Sequence, residues 1–278
     1  MQFFRISRSY KEGFLYSASV FAFIETFLGI TGISLKDIFE KITNIGNNLY
    51  LLALITISLY LLLTFIIRCF ITKKRNVSFK IRNINFNVKI GDIFKEKGLK
   101  VIPFNEHFDT NVDDKIISKN TLHGSFILNY IQNPEDLKSA IDNCEDVQNL
   151  NWELINNKKT FPLCRIIKYK DYLLLSFTHF DNNNTGHIAK IEYEKCLTTM
   201  WKEIRRLYSG ETVILPLLGS GITKFDDINE KCNFDFLKCI ICTFKASDET
   251  FIKPINIVVT EEVWNDLRLY DRLDALVI

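Results

Sequence analysis

The sequence predicts an α/β domain with a mixed sheet, carried behind two helices that are each long and apolar enough to cross a membrane. Three observations predict it. Two apolar runs, at residues 14–35 and 49–67, fall in the first quarter of the chain. Beyond them, strand-length apolar runs alternate with helix-length amphipathic segments, the pattern of a sheet covered by helices. Two polar loops break that alternation where strands end, one after Phe104 and one at Gly219-Ser-Gly221.

The first run is interrupted only by Glu25 and by small or hydroxyl residues, and the second holds no charge at all. As helices they reach roughly 28–33 Å, about the thickness of a bilayer hydrocarbon core. The second is apolar on every side, which suits a membrane span, the alternative being a pair of helices buried in a core. Arg5, Arg8 and Lys11 precede the first run, and Arg68, Lys73, Lys74 and Arg75 follow the second. In the connecting segment Lys36 and Lys41 are offset by Asp37 and Glu40. The positive-inside rule then predicts a multi-pass inner-membrane protein with a cytoplasmic N-terminus over 1–13, a basic linker over 68–78 and a cytoplasmic domain over 79–278. The first run lacks a small-x-small cleavage site, which argues against a signal peptide. Glu25 is the ionisable group at bilayer depth, either an interhelical or oligomer contact or a side chain that snorkels.

Residues 1–75 hold nine Lys/Arg against four Asp/Glu, so the remainder is slightly acidic although the whole chain is +2. A nucleic-acid reader would carry its basic charge on the globular part. The seven cysteines are odd in number and lack a framework spacing, which predicts free thiols in a reducing compartment. Cys239-x-x-Cys242 sits in an apolar helical run without a second pair or a flanking His, so core packing is expected there rather than a metal.

In the globular part, Phe79–Ile81 and Ile84–Ile90 are short strands leading into Gly91-Asp-Ile-Phe94, and Lys100–Phe104 is a further strand. Helical patterning covers Phe126–Ile131 and Glu135–Val147, the second opened by Asn133-Pro134. Arg165–Asp171 and Tyr172–Phe180 form a hairpin whose second strand is buried on both faces. Asp181–Gly186 is a polar loop. Helices are predicted over Ile191–Tyr208, over Phe234–Phe244 and from Glu261, and strands over Thr212–Leu217 and Pro254–Thr260.

Val101-Ile-Pro-Phe-Asn-Glu-His-Phe-Asp-Thr110 runs from a buried strand into about twenty polar residues that end at Ser118-Lys-Asn-Thr-Leu-His-Gly124. A loop of that length in a compact domain is functional or disordered. Val213-Ile-Leu-Pro-Leu-Leu-Gly-Ser-Gly-Ile-Thr223 puts two glycines after a strand, which makes either a backbone cradle for an anion or a tight turn. It is neither a P-loop nor G-x-G-x-x-G.

Gly91-Asp92-Ile93, a strand ending in Asn105 and a later Gly-Ser-Gly-Ile loop, in that order, resemble a macro domain, the three-layer α/β/α fold that binds ADP-ribose. More closely, 101–110 with Ser118 and Leu122-His-Gly124 resembles the macro domain of Thoeris antiphage proteins. The two apolar spans ahead of it resemble the transmembrane-macro effector of type II systems. The resemblance implies that Asp92 meets the adenine edge with Ile93 beside it, and that Asn105 contacts the distal ribose. It implies that the backbone of Gly219, Ser220, Gly221, Ile222 and Thr223 faces the diphosphate. Asp109, Thr110 and His123 then become candidates for the part of the ligand beyond the ribose, although Asp109 and Thr110 equally suit a turn and His123 a helix start. His179 and His187 are expected to be structural or exposed.

Functionally the resemblance implies a signal-binding effector rather than an enzyme, with a ligand and no cofactor. The expected ligand is histidine conjugated to ADP-ribose, made by a partner TIR-domain protein. Binding would lead to homo-oligomerisation, membrane disruption and abortive infection. The alternatives are a membrane-anchored ADP-ribosyl hydrolase, with Asp109 or His107 activating water, and a membrane-bound ADP-ribose reader.

Overall fold

The structure is a computed structural model that describes residues 8–32, 37–38, 49–143, 152–155, 158–181 and 183–277. It divides into two compact units, one of residues 1–75 with 268–276 and one of residues 76–267.

In the first unit, helix α1 (Arg8–Thr31) pairs with helix α2 (Leu49–Thr72). Gly13 lets them approach closely, since a Cβ there would lie 3.1 Å from the Thr64 carbonyl. Inside the pair the Ser17 and Thr64 hydroxyls share a buried hydrogen bond of 2.7 Å, and the Tyr60 hydroxyl donates to the Phe14 carbonyl. Small and hydroxyl residues at such a contact suit a lipid setting, where helices gain nothing by hiding apolar area from each other. Both helices are long and apolar enough to cross a membrane, and only 11% and 6% of their most apolar windows are buried, whereas a soluble core helix is mostly covered. Glu25 is exposed on α1.

The helix bounds differ from the sequence reading. α1 begins six residues earlier than the expected span and ends at Thr31, while residues 33–36 lie outside the described set. α2 runs through Arg68 to Thr72, and the first strand starts at Asn76, so the expected 68–78 linker is reduced to Lys73–Arg75. A helix does not stop where the apolar residues stop. Arg68 continues the turn and lays its guanidinium 3.9 Å over the Tyr10 ring. The chain end also departs from the expected 79–278 domain. Helices α8 (Leu269–Arg272) and α9 (Asp274–Val277) follow helix α7 (Glu261–Leu267), and residues 268–276 belong to the unit of the apolar helices.

The second unit is built on a mixed sheet. Its strands are β1 (Asn76–Ile81), β2 (Ile84–Ile90), β3 (Leu99–Asn105), β6 (Ile166–Tyr169), β7 (Tyr172–Phe180), β8 (Gly186–Ile188), β9 (Val213–Pro216), β10 (Lys224–Phe225) and β11 (Ile255–Val259). A separate hairpin pairs β4 (Glu153–Ile155) with β5 (Lys158–Thr160). The sheet order is β1-β2-β11-β9-β3-β7-β8-β10, with β6 also on β7. The pairs from β2 through β7 along this order are parallel. That is why β3, β7, β9 and β11 read as continuous apolar runs rather than alternating ones.

Helices α3 (Leu122–Tyr130) and α4 (Pro134–Asp142) cover one face, where Phe126, Ile127, Leu137 and Ile141 pack against Ile102, Phe104, Leu174 and Ile214. On the other face, Trp201 of α5 (Lys190–Leu207) and Phe244 of α6 (Asn233–Ala246) close edge-on over Phe86. α4 starts as its sequence predicts, with Asn133 capping and Pro134 opening the helix. Residues 144–147 of the expected helix lie outside the described set. The strands β8 and β10 were missed because two or three residues carry no periodicity.

Two cysteine expectations are corrected. Cys164 and Cys196, whose Cα atoms are 4.8 Å apart, are joined as a disulfide, because the turn ahead of β6 and α5 bring together residues whose sequence spacing gives no hint of it. Cys239 is half-buried and Cys242 exposed rather than both packed in the core, because the α6 face they share lines a groove of about 1140 Å³ between α5 and α6. Burial first, and then the Glu194 charge, push the Cys239 thiol up to about 11. Among the described residues there is no group of His, Cys, Asp and Glu able to hold a metal.

Candidate ligand-binding cleft

Parallel strands deliver their carboxyl ends to one edge of the sheet, and ligands of α/β domains bind outside that edge. Here β3, β7 and β9 end beside one another, and a cleft of about 530 Å³ opens beyond them. One wall is the loop after β9. Leu217 and Leu218 turn back into the core, and Gly219 reverses the chain at φ +93°, a conformation that L side chains rarely adopt. A Cβ on Gly219 would also press to 3.2 Å from the Phe236 ring. The turn is closed by the Ser220 N–H and hydroxyl, both donating to the Leu217 carbonyl. Thus Ser220 serves the tight turn, while the glycines leave the backbone bare along the cleft. A Cβ on Gly221 would meet nothing within 4 Å, so the fold does not demand glycine there. Lys231 donates to the Gly221 carbonyl at 2.7 Å and holds the loop from behind.

The facing wall begins at Asn105, where a bulge against β7 ends the strand. Asn105 is buried and organises the next four residues. Its Oδ1 accepts from the His107 and Asp109 N–H groups, and its Nδ2 donates to the Asp109 carboxylate at 2.8 Å. One amide hydrogen of Asn105 is left beyond these bonds. Asp109 in turn offers its carbonyl to His123 Nε2 at 3.0 Å, which places the proton on that nitrogen. Burial holds the His123 imidazole neutral, down to about 3. Its ring centroid stands 3.6 Å from that of Phe104.

The loop between is ordered by its own short-range bonds. Asp113 accepts from Lys115 and Ile116 N–H, and Asp114 accepts from Lys119 N–H. Gly124 permits the contact that closes it, since a Cβ there would lie 2.3 Å from the Ser118 carbonyl oxygen. The 101–124 stretch is therefore a built wall.

Of the sequence-predicted residues, the cleft gathers Asn105, His123, Gly219, Ser220, Gly221, Ile222 and Thr223. Asp109 stands one step behind, holding Asn105 and His123, and Thr110 is half-buried off the lining. Asp92 caps the short turn Ile93–Lys95 through the Phe94 N–H, and Ile93 is buried in the core beside Ile214 and Val258. Neither of these two is among the lining residues. His107, proposed with Asp109 as a water activator, also lies off the lining and bonds the Lys159 carbonyl through Nδ1.

The residues missed include Asp114–Ile117, Asn120 and Thr121 of the 101–124 loop, Phe177, Thr178 and Phe180 at the end of β7, Asn184–Gly186, and Lys224. The rule that sites lie at strand carboxyl ends points to Thr178 and Phe180 once β7 is known to be parallel to β3.

Behind the β7 side lies a charged relay. Glu106 Oε2 accepts from His179 Nδ1 at 2.6 Å, Glu106 Oε1 accepts from the Phe180 N–H, and His179 Nε2 donates to Glu192 at 3.2 Å. The Glu106 bond raises His179 to about 9 against the opposing effect of burial, so the ring is an imidazolium. For Glu106 burial works upward, but the His179 and Phe180 bonds outweigh it and the carboxyl sits below its ordinary value. The relay ties the ends of β3 and β7 to the first turn of α5.

Residues 86–260 match the model of the family described as Thoeris protein ThsA, Macro domain. The chain is 32% identical over 218 residues to the Thoeris protein ThsA of Bacillus amyloliquefaciens (strain Y2), covering 75% of this chain and 72% of that protein. Among solved structures, a point mutant of the Oceanobacillus iheyensis macrodomain with ADPR is 14% identical with TM-score 0.47, covering 72% of this chain and 98% of that one. The same macrodomain with ADP is 12% identical at the same TM-score, over 72% and 96%. By the family match and the curated relative, this chain belongs to the Thoeris ThsA macro-domain family.

Proposed function

We propose that the chain is a membrane effector of antiphage defence whose cleft binds an ADP-ribose-derived signal, histidine–ADP-ribose, made by a partner TIR-domain protein. The observation that carries this reading is the cleft itself. In a chain of this family, a wall of bare glycine backbone faces Asn105 and His123 across about 530 Å³, within the size range of small-molecule sites. Gly221, which the fold leaves free to carry a side chain, keeps that wall open. In this reading the domain is cytoplasmic and α1 and α2 span the inner membrane. The bound state favours an assembly of chains that disrupts the bilayer and ends the infected cell. A ligand can drive this only through unequal affinity for the two states.

The test uses the full chain in lipid nanodiscs, titrated by calorimetry with ADP-ribose and with histidine–ADP-ribose, with the ligand recovered and checked for cleavage. Dye-loaded vesicles carrying the chain are then given each ligand. Preference for the intact conjugate together with conjugate-dependent leakage is the expected result. Equal binding, a cleaved conjugate or absent leakage overturns it.

A further inference from the structure

The first described turn of α1 is bonded by Tyr270 and Asp271. A helix start leaves N–H groups without partners and carries partial positive charge, and both are normally met by a residue just upstream. Here the Ser9 N–H donates to Asp271 Oδ1 at 3.1 Å across 262 positions of sequence, and Ser9 is fully buried. One residue away, the Tyr270 hydroxyl donates to the Glu12 carboxylate of α1. The same Tyr270 ring lies under the Lys74 ammonium, 5.7 Å away, just beyond the end of α2. Tyr270 therefore touches the start of one apolar helix and the end of the other. Leu269, Leu273 and Leu276 are buried at helical spacing, so residues 268–276 dock as a packed element. Arg268, at φ +43°, is the turn at which the chain leaves α7 for this dock.

The chain thus crosses between its two units twice, once at Lys73–Arg75 and once at Arg268. We infer that residues 268–276 form a clamp that carries the state of the ligand-binding domain to α1, as Lys73–Arg75 carries it to α2. The inference rests on the proposed ligand-driven function and names its transmission. The chain enters the domain from the end of α2 and leaves it into the element that bonds the start of α1. Loosening either crossing leaves one helix unsteered.

Two variants of the full chain test this in vesicles. Tyr270→Phe with Asp271→Ala removes the polar grip and keeps the leucines. A ten-residue Gly/Ser insertion between Leu267 and Arg268 keeps the grip and slackens the crossing. Histidine–ADP-ribose is the probe, and hydrogen exchange of residues 9–12, ligand affinity and dye release are the readouts. In the double variant the Ser9 amide should exchange at least about tenfold faster, as expected for losing a hydrogen bond to a charged group. Both variants should bind the probe within about twofold of wild type yet release dye about tenfold less, a typical coupling loss. Unchanged Ser9 exchange in the double variant, or wild-type release from the insertion variant, overturns the inference. Dye release without the probe also overturns it, by making the clamp a restraint. Failure of the wild-type chain to bind the probe is a separate outcome, which removes the proposed function and the transmission with it.

Discussion

Replacing His179 with alanine should remove the alkaline sensitivity of the globular unit. His179 is held at about 9 in the folded chain against an ordinary 6.5, chiefly by its bond to Glu106. A group whose folded value is raised contributes stability that is complete below its unfolded value and is lost as pH climbs through the folded one. The His179 contribution is therefore full below about pH 6.5 and gone above about pH 9. Glu106, held low, contributes above its unfolded value of 4.5 and loses that contribution in acid. The relay is strongest between these limits. The interval from 6.5 to about 9 sets an upper bound of about 3.4 kcal/mol. The His179 side chain is 34% exposed, so solvent screening reduces this. A contribution of about 1–2 kcal/mol, or about 2–8 °C in Tm for a domain of this size, is expected. The three tryptophans, Trp152, Trp201 and Trp264, all lie in the globular unit, so tryptophan-detected melting of the full chain in detergent reads that unit. Wild type should lose this margin between pH 6.5 and 9, and His179→Ala should start lower at pH 6.5 and stay level. Parallel pH profiles for the two proteins would refute the reasoning.

Gly124→Ala should destabilise the globular unit by about 2–4 kcal/mol, through backbone overlap that no rotamer relieves, read as a fall in tryptophan-detected Tm. Gly221→Val, in open space, should leave Tm within about 2 °C of wild type, as surface changes usually do, while calorimetry shows ligand affinity falling at least about tenfold as the bare backbone is covered. Asn105→Ala should lower both readings, stability by about 1–3 kcal/mol because the Asp109 carboxylate and two N–H groups lose their partner, and affinity because the strand-end amide is gone. Asn105→Asp keeps the acceptor but sets two carboxylates together, and should be worse than alanine below about 0.1 M salt.

The central strands and the long helices were legible because each is a sustained apolar run of one period, as in Leu173–Leu175 of β7 or the buried stripe of α5 from Tyr193 to Ile204. The wall from Val101 to Gly124 and the Gly219–Thr223 loop were legible because each departs from that periodicity where a strand must end. Asp92 and Ile93 were placed by resemblance alone, and what the structure adds is local. An Asp ahead of a short helical turn caps it, and an Ile beside Ile214 and Val258 is buried. Neither the Glu106–His179 relay nor the Cys164–Cys196 bond was visible. Their partners lie 73 and 32 residues apart and are brought together only by strand order in the first case and by a helix packed on the sheet in the second. The dock of Asp271 on Ser9 is the extreme case, since nothing in a run of short polar and apolar residues announces a cap for a helix at the other end of the chain.

The position of β11 sets the order in which the protein can be completed. It is the last of the described strands to be synthesised, yet it lies between β2, the second, and β9. Until residues 255–259 leave the ribosome, the growing sheet exists as two halves with open inner edges, and β9 lacks one of its two neighbours. A chain truncated before Ile255 would carry both apolar helices and most of the cleft residues, but would lack the strand that joins the halves. Translation itself thus delays completion of the cleft until both apolar helices have already been made.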